Sequence, residues 1–332
     1  MSRTAHYIVF VAWIIGIAAA VFFFFSLMPP LSSAQPQQIV IEQGSGFGTI
    51  TDLLAGKGLI RSPKVFMLYG ILTGVAHELK PGTYMLSAAS STPVIMAALD
   101  RGPALDLAVR IPEGGTVRDA DALLAQEGIS APGALITVSV ADLASRYGFL
   151  HDAKSLEGFL FPDTYRFYPQ SDASSIVGKL LDAFALKAWP VLQTQQDPMH
   201  TLIVASLVEK EAPQPHDQQL IAGIIDRRLA AGMPLQLDAT VIYAKCGARF
   251  FTCSDQKLSR ADLGYASPYN TYLHSGLPPG PIDSPSLAAI RAAADPISSP
   301  YWYYLSDPKT GMIIYSKTLE EHNANRAKYL GN

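Results

Sequence analysis

Two glutamates stand one residue apart near the middle of the chain, in the stretch VASLVEKEAP at residues 204–213. On a helix of about 100° per residue, Glu211 falls near the centre of the apolar stripe that contains Leu207, whereas Glu209 points to the opposite side. A carboxyl carried toward the interior is favoured in its protonated form, so its pKa rises and it can donate a proton near neutral pH. The spacing therefore predicts that Glu211 is a general acid and that Glu209 is a solvent-facing or structural charge. The alternative is that the helix frays at Pro213 and Glu211 reaches water.

The motifs of several other enzyme classes are absent from the sequence. It contains no G-x-S-x-G, no H-E-x-x-H, no C-x-x-C and no phosphate-binding glycine loop. The seven histidines are scattered, so we expect no metal site and no cofactor. The net charge is −3 and no long basic run occurs, so nothing indicates nucleic-acid binding. Carboxylates, amides and tyrosines remain, which is the usual set of side chains for handling sugars.

Two pairs of polar residues are candidates for substrate binding. Gln236 and Asp238 alternate with leucines, which predicts that both lie on one face of a short extended segment. Hydrogen bonds to sugar groups and a structural network are both open for this pair. Asn270 and Tyr272 share a face in the same way, and the tyrosine offers a ring for stacking and a phenol donor. We interpret this second pair as functional.

Three further residues are candidates with a structural alternative each. Asp163 follows Pro162, so it either contacts substrate or caps a turn. Glu157 either contacts substrate or anchors the junction between domains. Asn323 lies on the last predicted helix, from which it either reaches the cleft or caps it.

An apolar segment near the N-terminus predicts a membrane anchor. Residues 7–28 include no charged side chain and match the ~20 residues that a helix needs to cross a bilayer. A cleaved signal peptide is the alternative, but its apolar region typically has only about 7–15 residues. Arg3 precedes the segment, and residues 29–38 contain no Lys or Arg. We therefore expect residues 1–6 in the cytoplasm, a Pro-rich linker at 29–38, and an exported body.

An internal repeat follows the linker. IVIEQGSGFGTITDLLAGKGLI (39–60) aligns with VRIPEGGTVRDADALLAQEGI (109–129), so that Gly44 matches Gly114. Each copy predicts a strand, a glycine turn, an amphipathic helix and a glycine stop, and KPGTYML between them predicts a turn into a strand. The first copy resembles a LysM module, a small fold that grips N-acetylated glycans. We predict a LysM-like region at 39–150, with two ligand-free scaffolding units as the alternative.

A second domain is predicted at residues 155–330. Cys246 and Cys253 flank a short loop in it, which could close as a disulfide in an oxidising compartment or hold two free thiols. Ser284 is expected to cap a helix that has Pro285 in its first position. The other predicted elements are helices at about 174–192 and 202–212, a helix that ends at Gly232, a hairpin at 301–316 and a closing helix that starts after Thr318.

Six motifs occur together in a fixed order along the chain. They are EGFLFPDTY (157–165), ASLVEKE (205–211), LQLDATVIY (235–243), KLSRADL (257–263), SPYNTYLHSGLPPGPI (267–282) and HN (322–323). With these motifs the sequence resembles the YceG-like endolytic murein transglycosylases, membrane-anchored enzymes that cut nascent peptidoglycan strands.

The resemblance implies an α+β protein of the cell inner membrane. Its parts would be one transmembrane helix, a LysM-like α+β module and a periplasmic α+β lytic transglycosylase domain. It implies that Glu211 is the catalytic acid for the β-1,4 bond between N-acetylmuramic acid and N-acetylglucosamine. The products would carry 1,6-anhydro ends, and cleavage would terminate or size strands during wall synthesis. The implied partners are peptidoglycan strands and peptidoglycan synthases of the penicillin-binding class.

One departure from the family pattern lies beside the predicted acid. Related sequences usually have Thr or Ser after this glutamate, whereas Ala212 follows Glu211 here. The missing hydroxyl puts a hydrogen bond from that position in doubt. Two other functions stay open: a non-catalytic peptidoglycan-binding scaffold and a hydrolytic muramidase.

Overall fold

A computed structural model describes residues 3–77, 79–103 and 106–331. The described residues form helices and short antiparallel strand pairs. The strands are β1 (Gln37–Ile41), β2 (Gly82–Leu86), β3 (Leu107–Ile111), β4 (Asp163–Phe167), β5 (Tyr303–Ser306) and β6 (Ile313–Ser316). The helices are α1 (Arg3–Leu27), α2 (Phe47–Gly56), α3 (Pro63–Thr73), α4 (Thr92–Arg101), α5 (Val117–Gln126), α6 (Val140–Ala144), α7 (Ala173–Lys187), α8 (Trp189–Leu192), α9 (Pro198–Glu211), α10 (Pro215–Ala230), α11 (Asp238–Lys245), α12 (Leu287–Ala294) and α13 (Leu319–Leu330).

Helix α1 contains the predicted anchor. It has 25 residues, and its segment Phe10–Leu27 is long and apolar enough to cross a membrane by length and composition. Its apolar side chains are largely exposed instead of packed into a protein core. This exposure is what a helix surrounded by lipid requires.

The chain divides into two compact units, one up to Asp106 and one from Leu107 onward. The first unit contains the β1–β2 pair, in which Ile39 lies opposite Tyr84. Its own apolar core takes side chains from both strands and from α2, α3 and α4. The strand predicted within KPGTYML is therefore confirmed as β2, and the predicted linker overlaps the start of β1, because pairing with β2 already begins at Gln37.

Both copies of the repeat adopt the predicted local structure. Each has a strand, a turn glycine with positive φ, a helix and a second glycine with φ near +68°, at Gly58 and Gly128. A side chain in that left-handed conformation is strained, so glycine ends the helix at low cost. The copies differ in the partners of their strands, because β3 pairs with β4 in the second unit. The predicted LysM-like region at 39–150 therefore includes parts of both units.

The second unit is built around helix α9. Every residue from Thr201 to Val208 in this helix is buried, and α10, α11 and α12 all pack against it. The helix predicted at 174–192 is two helices, α7 and α8, because α8 starts anew with Pro190 in its first turn. The predicted cap at Ser284 is wrong. Ser286 caps α12 instead, and its hydroxyl accepts the N–H of Ala289.

The C-terminal part contains the predicted hairpin, the predicted closing helix and the two cysteines. The hairpin predicted at 301–316 is confirmed as the β5–β6 pair, with Tyr304 opposite Tyr315. Helix α13 then starts after its cap Thr318, as the sequence indicates. Cys246 and Cys253 are joined by a disulfide, which decides between the two alternatives left open for them.

Candidate active site

Helix α9 ends at Glu211 without fraying earlier. The next residue, Ala212, is extended with φ −150° and ψ 139°, so Pro213 follows a chain that has already left the helix. Glu209 points away from Glu211, as the helical phase predicts. Its carboxylate accepts the N–H of Ser286 at 3.0 Å and the Ser286 hydroxyl at 2.6 Å. Glu209 is therefore a structural charge at the start of α12 and not a solvent-facing one.

Glu211 lines a cavity of about 560 Å³. The cavity is lined from α9, α10, α11, α13, the β5 strand and the loop that precedes α12. Five of the eight predicted site residues line it, namely Glu211, Gln236, Asp238, Tyr272 and Asn323. The structure thus brings together side chains that are spread over more than a hundred positions of the sequence.

The carboxyl of Glu211 is held from one side by a tyrosine. The Tyr304 hydroxyl donates a hydrogen bond to Glu211 Oε2 at 3.0 Å. The pKa of Glu211 is raised to about 7, chiefly by burial and to a lesser degree by the nearby charge of Asp238. The Tyr304 hydrogen bond and the charge of Arg228 act in the opposite direction on this pKa. A carboxyl with this pKa is available in both protonation states near neutral pH, as an acid–base catalyst requires.

Gln236 and Asp238 reach the cavity in a different way from that predicted. They do not share an extended segment, because Asp238 begins helix α11 and Gln236 has a positive φ of 53°. The Gln236 N–H bonds the Thr271 carbonyl at 3.2 Å. Asp238 accepts a hydrogen bond from the Tyr272 hydroxyl at 2.6 Å. Asp238 and Tyr272 therefore form a linked polar pair in the wall of the cavity.

Asn270 does not line the cavity and is fully buried. Its amide donates hydrogen bonds to the carbonyls of Leu263 and Tyr265, and its oxygen accepts the N–H of Tyr272. Buried polar groups of this kind fix a loop because leaving them unpaired is costly. Asn270 thereby holds the backbone that carries Tyr272.

Glu157 and Asp163 also lie outside this cavity. Glu157 is 4% exposed and accepts the backbone N–H of Val117 at 3.0 Å and the hydroxyl of Tyr243 at 3.2 Å. It ties its own segment to α5 and α11, which matches the anchoring alternative. Asp163 is the first residue of β4 and pairs with Lys187 of α7.

Sequence patterns alone did not identify several residues of the cavity wall. Arg228, Tyr303, Tyr304 and Arg326 all line it. Arg228 lies in a segment whose pattern predicts an ordinary helix, and the two tyrosines lie in the predicted hairpin. The cluster of aromatic residues in YWYYLS was the one available signal, since a strand with that many rings presents some of them to a neighbouring surface.

No group of three or more His, Cys, Asp or Glu side chains suited to a metal ion occurs within residues 3–77, 79–103 and 106–331. The cavity instead offers one carboxyl of raised pKa, a second carboxylate, tyrosines and two arginines. Such a set can protonate a leaving oxygen and hold a polar, ring-bearing ligand.

Comparison with known proteins gives consistent matches over most of the chain. The model of the YceG-like family matches residues 39–328. The chain is 30% identical over 345 residues to the endolytic murein transglycosylase of Streptococcus pneumoniae serotype 2 strain D39, covering 92% of this chain and 60% of that relative. It is also 30% identical to the endolytic murein transglycosylase of Bacillus subtilis strain 168, covering 92% of this chain and 88% of the relative.

A solved structure is similar as well. The crystal structure of a YceG-like protein from Listeria monocytogenes is 31% identical in sequence, with a TM-score of 0.58. The match covers 88% of this chain and all of that one. The chain spans less than two thirds of the length of the pneumococcal relative.

Proposed function

The chain belongs to the YceG-like family, and from this premise we propose that it is an endolytic lytic transglycosylase of peptidoglycan. The observation that carries the proposal is Glu211, whose pKa is raised to about 7 at the wall of an open cavity. The names of the pneumococcal and Bacillus relatives support the same activity. The proposed substrate is the β-1,4 bond between N-acetylmuramic acid and N-acetylglucosamine in nascent strands.

The proposed reaction uses one carboxyl twice. Protonated Glu211 donates its proton to the glycosidic oxygen, the bond from that oxygen to C1 of the muramoyl unit breaks, and N-acetylglucosamine leaves with a free 4-hydroxyl. The resulting Glu211 carboxylate then takes the proton of the muramoyl C6 hydroxyl, whose oxygen attacks C1 and closes the 1,6-anhydro ring. The acid form is restored without water, and a pKa near 7 suits both half-reactions.

The other cavity residues have supporting roles in this proposal. Tyr304 orients Glu211 through its hydrogen bond, and Asp238, Tyr272, Gln236 and Asn323 offer donors and acceptors for sugar hydroxyl and acetamido groups. Asn270 contributes by holding the Tyr272 loop. Direct substrate contact by Glu157 and Asp163 has no support from their positions, because neither side chain lines the cavity. Ala212 has no hydroxyl to offer Glu211, and the hydroxyl of Tyr304 donates a hydrogen bond to this carboxyl instead.

A hydrolytic muramidase is the second candidate, and one observation favours it. Asp238 lines the same cavity as Glu211, and glycosidases that use water or a covalent intermediate ordinarily need two carboxylates. A non-catalytic scaffold that only binds peptidoglycan is the third candidate. A carboxyl of raised pKa that also lines an open cavity speaks against a merely binding role.

Digestion of purified peptidoglycan by the full chain in detergent, with mass spectrometry of the fragments, tests all three candidates. We expect fragments with 1,6-anhydro ends, each lighter by one water than its reducing counterpart. Reducing ends would indicate the muramidase, and no release of fragments would indicate the scaffold. The Asp238→Asn variant sharpens the result, since a two-carboxylate hydrolase loses its reaction with that change.

The proposed location is the inner membrane, crossed once by α1, with the N-terminus in the cytoplasm and the body in the periplasm. Arg3 at the start of α1, before its apolar segment, and the lack of Lys or Arg at 29–38 support this orientation. The Cys246–Cys253 disulfide is typical of an oxidising compartment. Protease treatment of spheroplasts should digest the body from outside. A body digested only after lysis would contradict the orientation.

The domain roles are proposals of the same kind. We propose that the LysM-like region at 39–150 binds N-acetylated glycan and that residues 155–330 carry the chemistry. The separate core of the first unit supports an independently packed module there. Hydrogen exchange on full-length Glu211→Gln with N-acetylglucosamine oligomers should protect residues 39–60, and protection confined to the second unit would contradict this role. Synthases of the penicillin-binding class are the proposed partners, to be sought by cross-linking in membranes.

A further inference from the structure

The lining of the Glu211 cavity carries charges of both signs. Its carboxyl groups are Glu211 at the end of α9 and Asp238 at the start of α11. Its cations are Arg228 from α10 and Arg326 from α13. Because Glu211 has a pKa of about 7 and carries no charge when it acts as an acid, the two arginines outweigh the single remaining carboxylate in that state.

Arg228 is a buried cation without a carboxylate partner in the described parts of the chain. It is 8% exposed, and its guanidinium donates to the carbonyls of Trp302 at 2.8 Å and Leu235 at 2.6 Å. These carbonyls satisfy some of its donors but supply no negative charge. The charge of Arg228 lowers the pKa of Glu211, so this carboxyl is the nearby group that could balance it, but it carries no charge while it is protonated. Because a buried charge is costly without a counter-charge, Arg228 gains in that state from an anion in the cavity.

Arg326 is the exposed cation at the edge of the same cavity. No carboxylate of residues 3–77, 79–103 or 106–331 forms an ion pair with it. One turn earlier on α13, His322 stacks on Tyr303 with ring centroids 5.3 Å apart, and its buried Nδ1 has no hydrogen-bond partner among the residues that the structure describes. Burial and the charges of Arg326 and Arg228 lower the pKa of His322, so the ring is neutral at pH 7 and its Nδ1 can accept or donate.

We propose that the wall formed by Arg228, His322 and Arg326 binds a carboxylate that the substrate carries on its muramoyl unit. This inference rests on the proposed function and names the substrate feature that the site selects. The backbone of an N-acetylated glycan is uncharged, so it supplies no counter-charge to these arginines. In peptidoglycan the carboxylates belong to the stem peptide, or to the lactyl group once the peptide is removed. A guanidinium binds such a carboxylate through two parallel hydrogen bonds.

The test compares three forms of one strand preparation: strands with stem peptides, the same strands after their carboxylates are coupled to methylamine, and strands stripped of peptides by an amidase. The full chain in detergent is measured as wild type, Arg326→Gln and Arg326→Glu. Lys328→Gln is the matched control, because Lys328 lies on the same helix but does not line the cavity.

We expect Arg326→Gln to lower kcat/KM about tenfold on strands with free carboxylates, the size of effect typical of one charge-assisted hydrogen bond. Arg326→Glu should lower it further. Neither Arg326 variant should lower kcat/KM on methylamine-coupled strands. Lys328→Gln should leave kcat/KM unchanged on both free and coupled strands. Equal losses on free and coupled strands, or no loss on free strands, would overturn the proposal. Stripped strands carry the lactyl carboxylate in place of the stem peptide: a retained Arg326 effect on them means that the site accepts either carboxylate, and its disappearance means that the site selects a carboxylate of the stem peptide.

Binding measurements separate this inference from the proposed function. Each Arg326 variant is also made in the Glu211→Gln chain, and its Kd for the three strand forms is measured without turnover. A wild-type chain that cuts nothing would refute the proposed function, whereas an Arg326-dependent Kd for carboxylate-bearing strands would still support the carboxylate site. A Kd independent of both Arg326 and the carboxylates would refute the site even if cleavage occurs.

Discussion

Two glutamates in the second unit, Glu157 and Glu211, both have raised pKa values, yet their surroundings differ. Burial raises the pKa of Glu157 to about 8 and that of Glu211 to about 7. Both oxygens of Glu157 accept hydrogen bonds, from Val117 and Tyr243, and the residue is 4% exposed. Glu211 is half-buried, receives one hydrogen bond from Tyr304, and lines a cavity large enough for sugar units.

The comparison shows that a raised pKa does not by itself identify a catalytic acid. Desolvation shifts both carboxyls, because a charge loses its hydration wherever it is enclosed. Glu157 borders a separate depression, but its oxygens are already engaged in joining α5 and α11 to its own segment. An acid must also have an oxygen that a substrate can reach, and of these two carboxyls only Glu211 has that access.

The largest expected effect separates the two glutamates by activity. Glu211→Gln should lower strand cleavage by about 10³-fold, within the range for loss of a general acid. Glu157→Gln should keep cleavage within about tenfold of wild type, because an amide still accepts the Val117 N–H. Fragment release from peptidoglycan under identical conditions measures both. If circular dichroism shows that Glu157→Gln is folded and this variant is as inactive as Glu211→Gln, the two glutamates do not differ in role.

The second expected effect concerns stability and pH. The pKa of Glu157 is about 8 in the folded chain and 4.5 as the ordinary value, so the folded state binds more protons between these pH values. Its contribution to the free energy of unfolding is therefore greatest below pH 4.5 and falls as pH rises to about 8. Glu157→Gln should reduce this fall by roughly 2 to 4 kcal/mol, measured by urea unfolding at pH 5 and pH 8.

Glu211→Gln supplies the matched comparison for that experiment. The pKa of Glu211 is about 7 in the folded chain, so its contribution to the free energy of unfolding also falls with pH, but over a narrower range than that of Glu157. Glu211→Gln should therefore change the pH dependence of stability less than Glu157→Gln does. An unchanged slope in Glu157→Gln would mean that this carboxyl is not held protonated in the folded chain.

The third and smallest expected effect concerns the hydrogen bond to the acid. The Tyr304 hydroxyl lowers the pKa of Glu211, so Tyr304→Phe should raise it. Because the acid form is lost as pH rises through this pKa, the alkaline limb of kcat/KM should move up by about half to one pH unit. Activity at the optimum should drop by up to about tenfold through poorer orientation.

Tyr315→Phe is the control on the same hairpin. Its hydroxyl bonds Asp217 at 2.7 Å, and the residue does not line the cavity. The limb should stay in place in this variant. A Tyr304→Phe profile that overlays the wild-type profile would show that the tyrosine does not act on Glu211.

Helical phase was enough to distinguish Glu211 from Glu209, because side-chain direction on a helix depends only on the spacing of residues. It was not enough to describe the far side of α9. Glu209 bonds Ser286, which is 77 positions away, and no local pattern contains that partner. The extended segment expected for Gln236 and Asp238 was wrong for a related reason, since alternation of four residues cannot tell a strand from the entry to a helix such as α11.

The sequence by itself determined the local elements: the apolar helix α1, the two strand–glycine–helix copies, the hairpin and the helix that ends at Glu211. These depend on periodicity, caps and glycine conformations that neighbouring residues specify. Only the tertiary structure decided that β1 pairs with β2 while β3 pairs with β4, and that Tyr304 lies against Glu211 across 93 positions. Such contacts depend on which surfaces are buried together, so they arise from the packing of each unit around its own core.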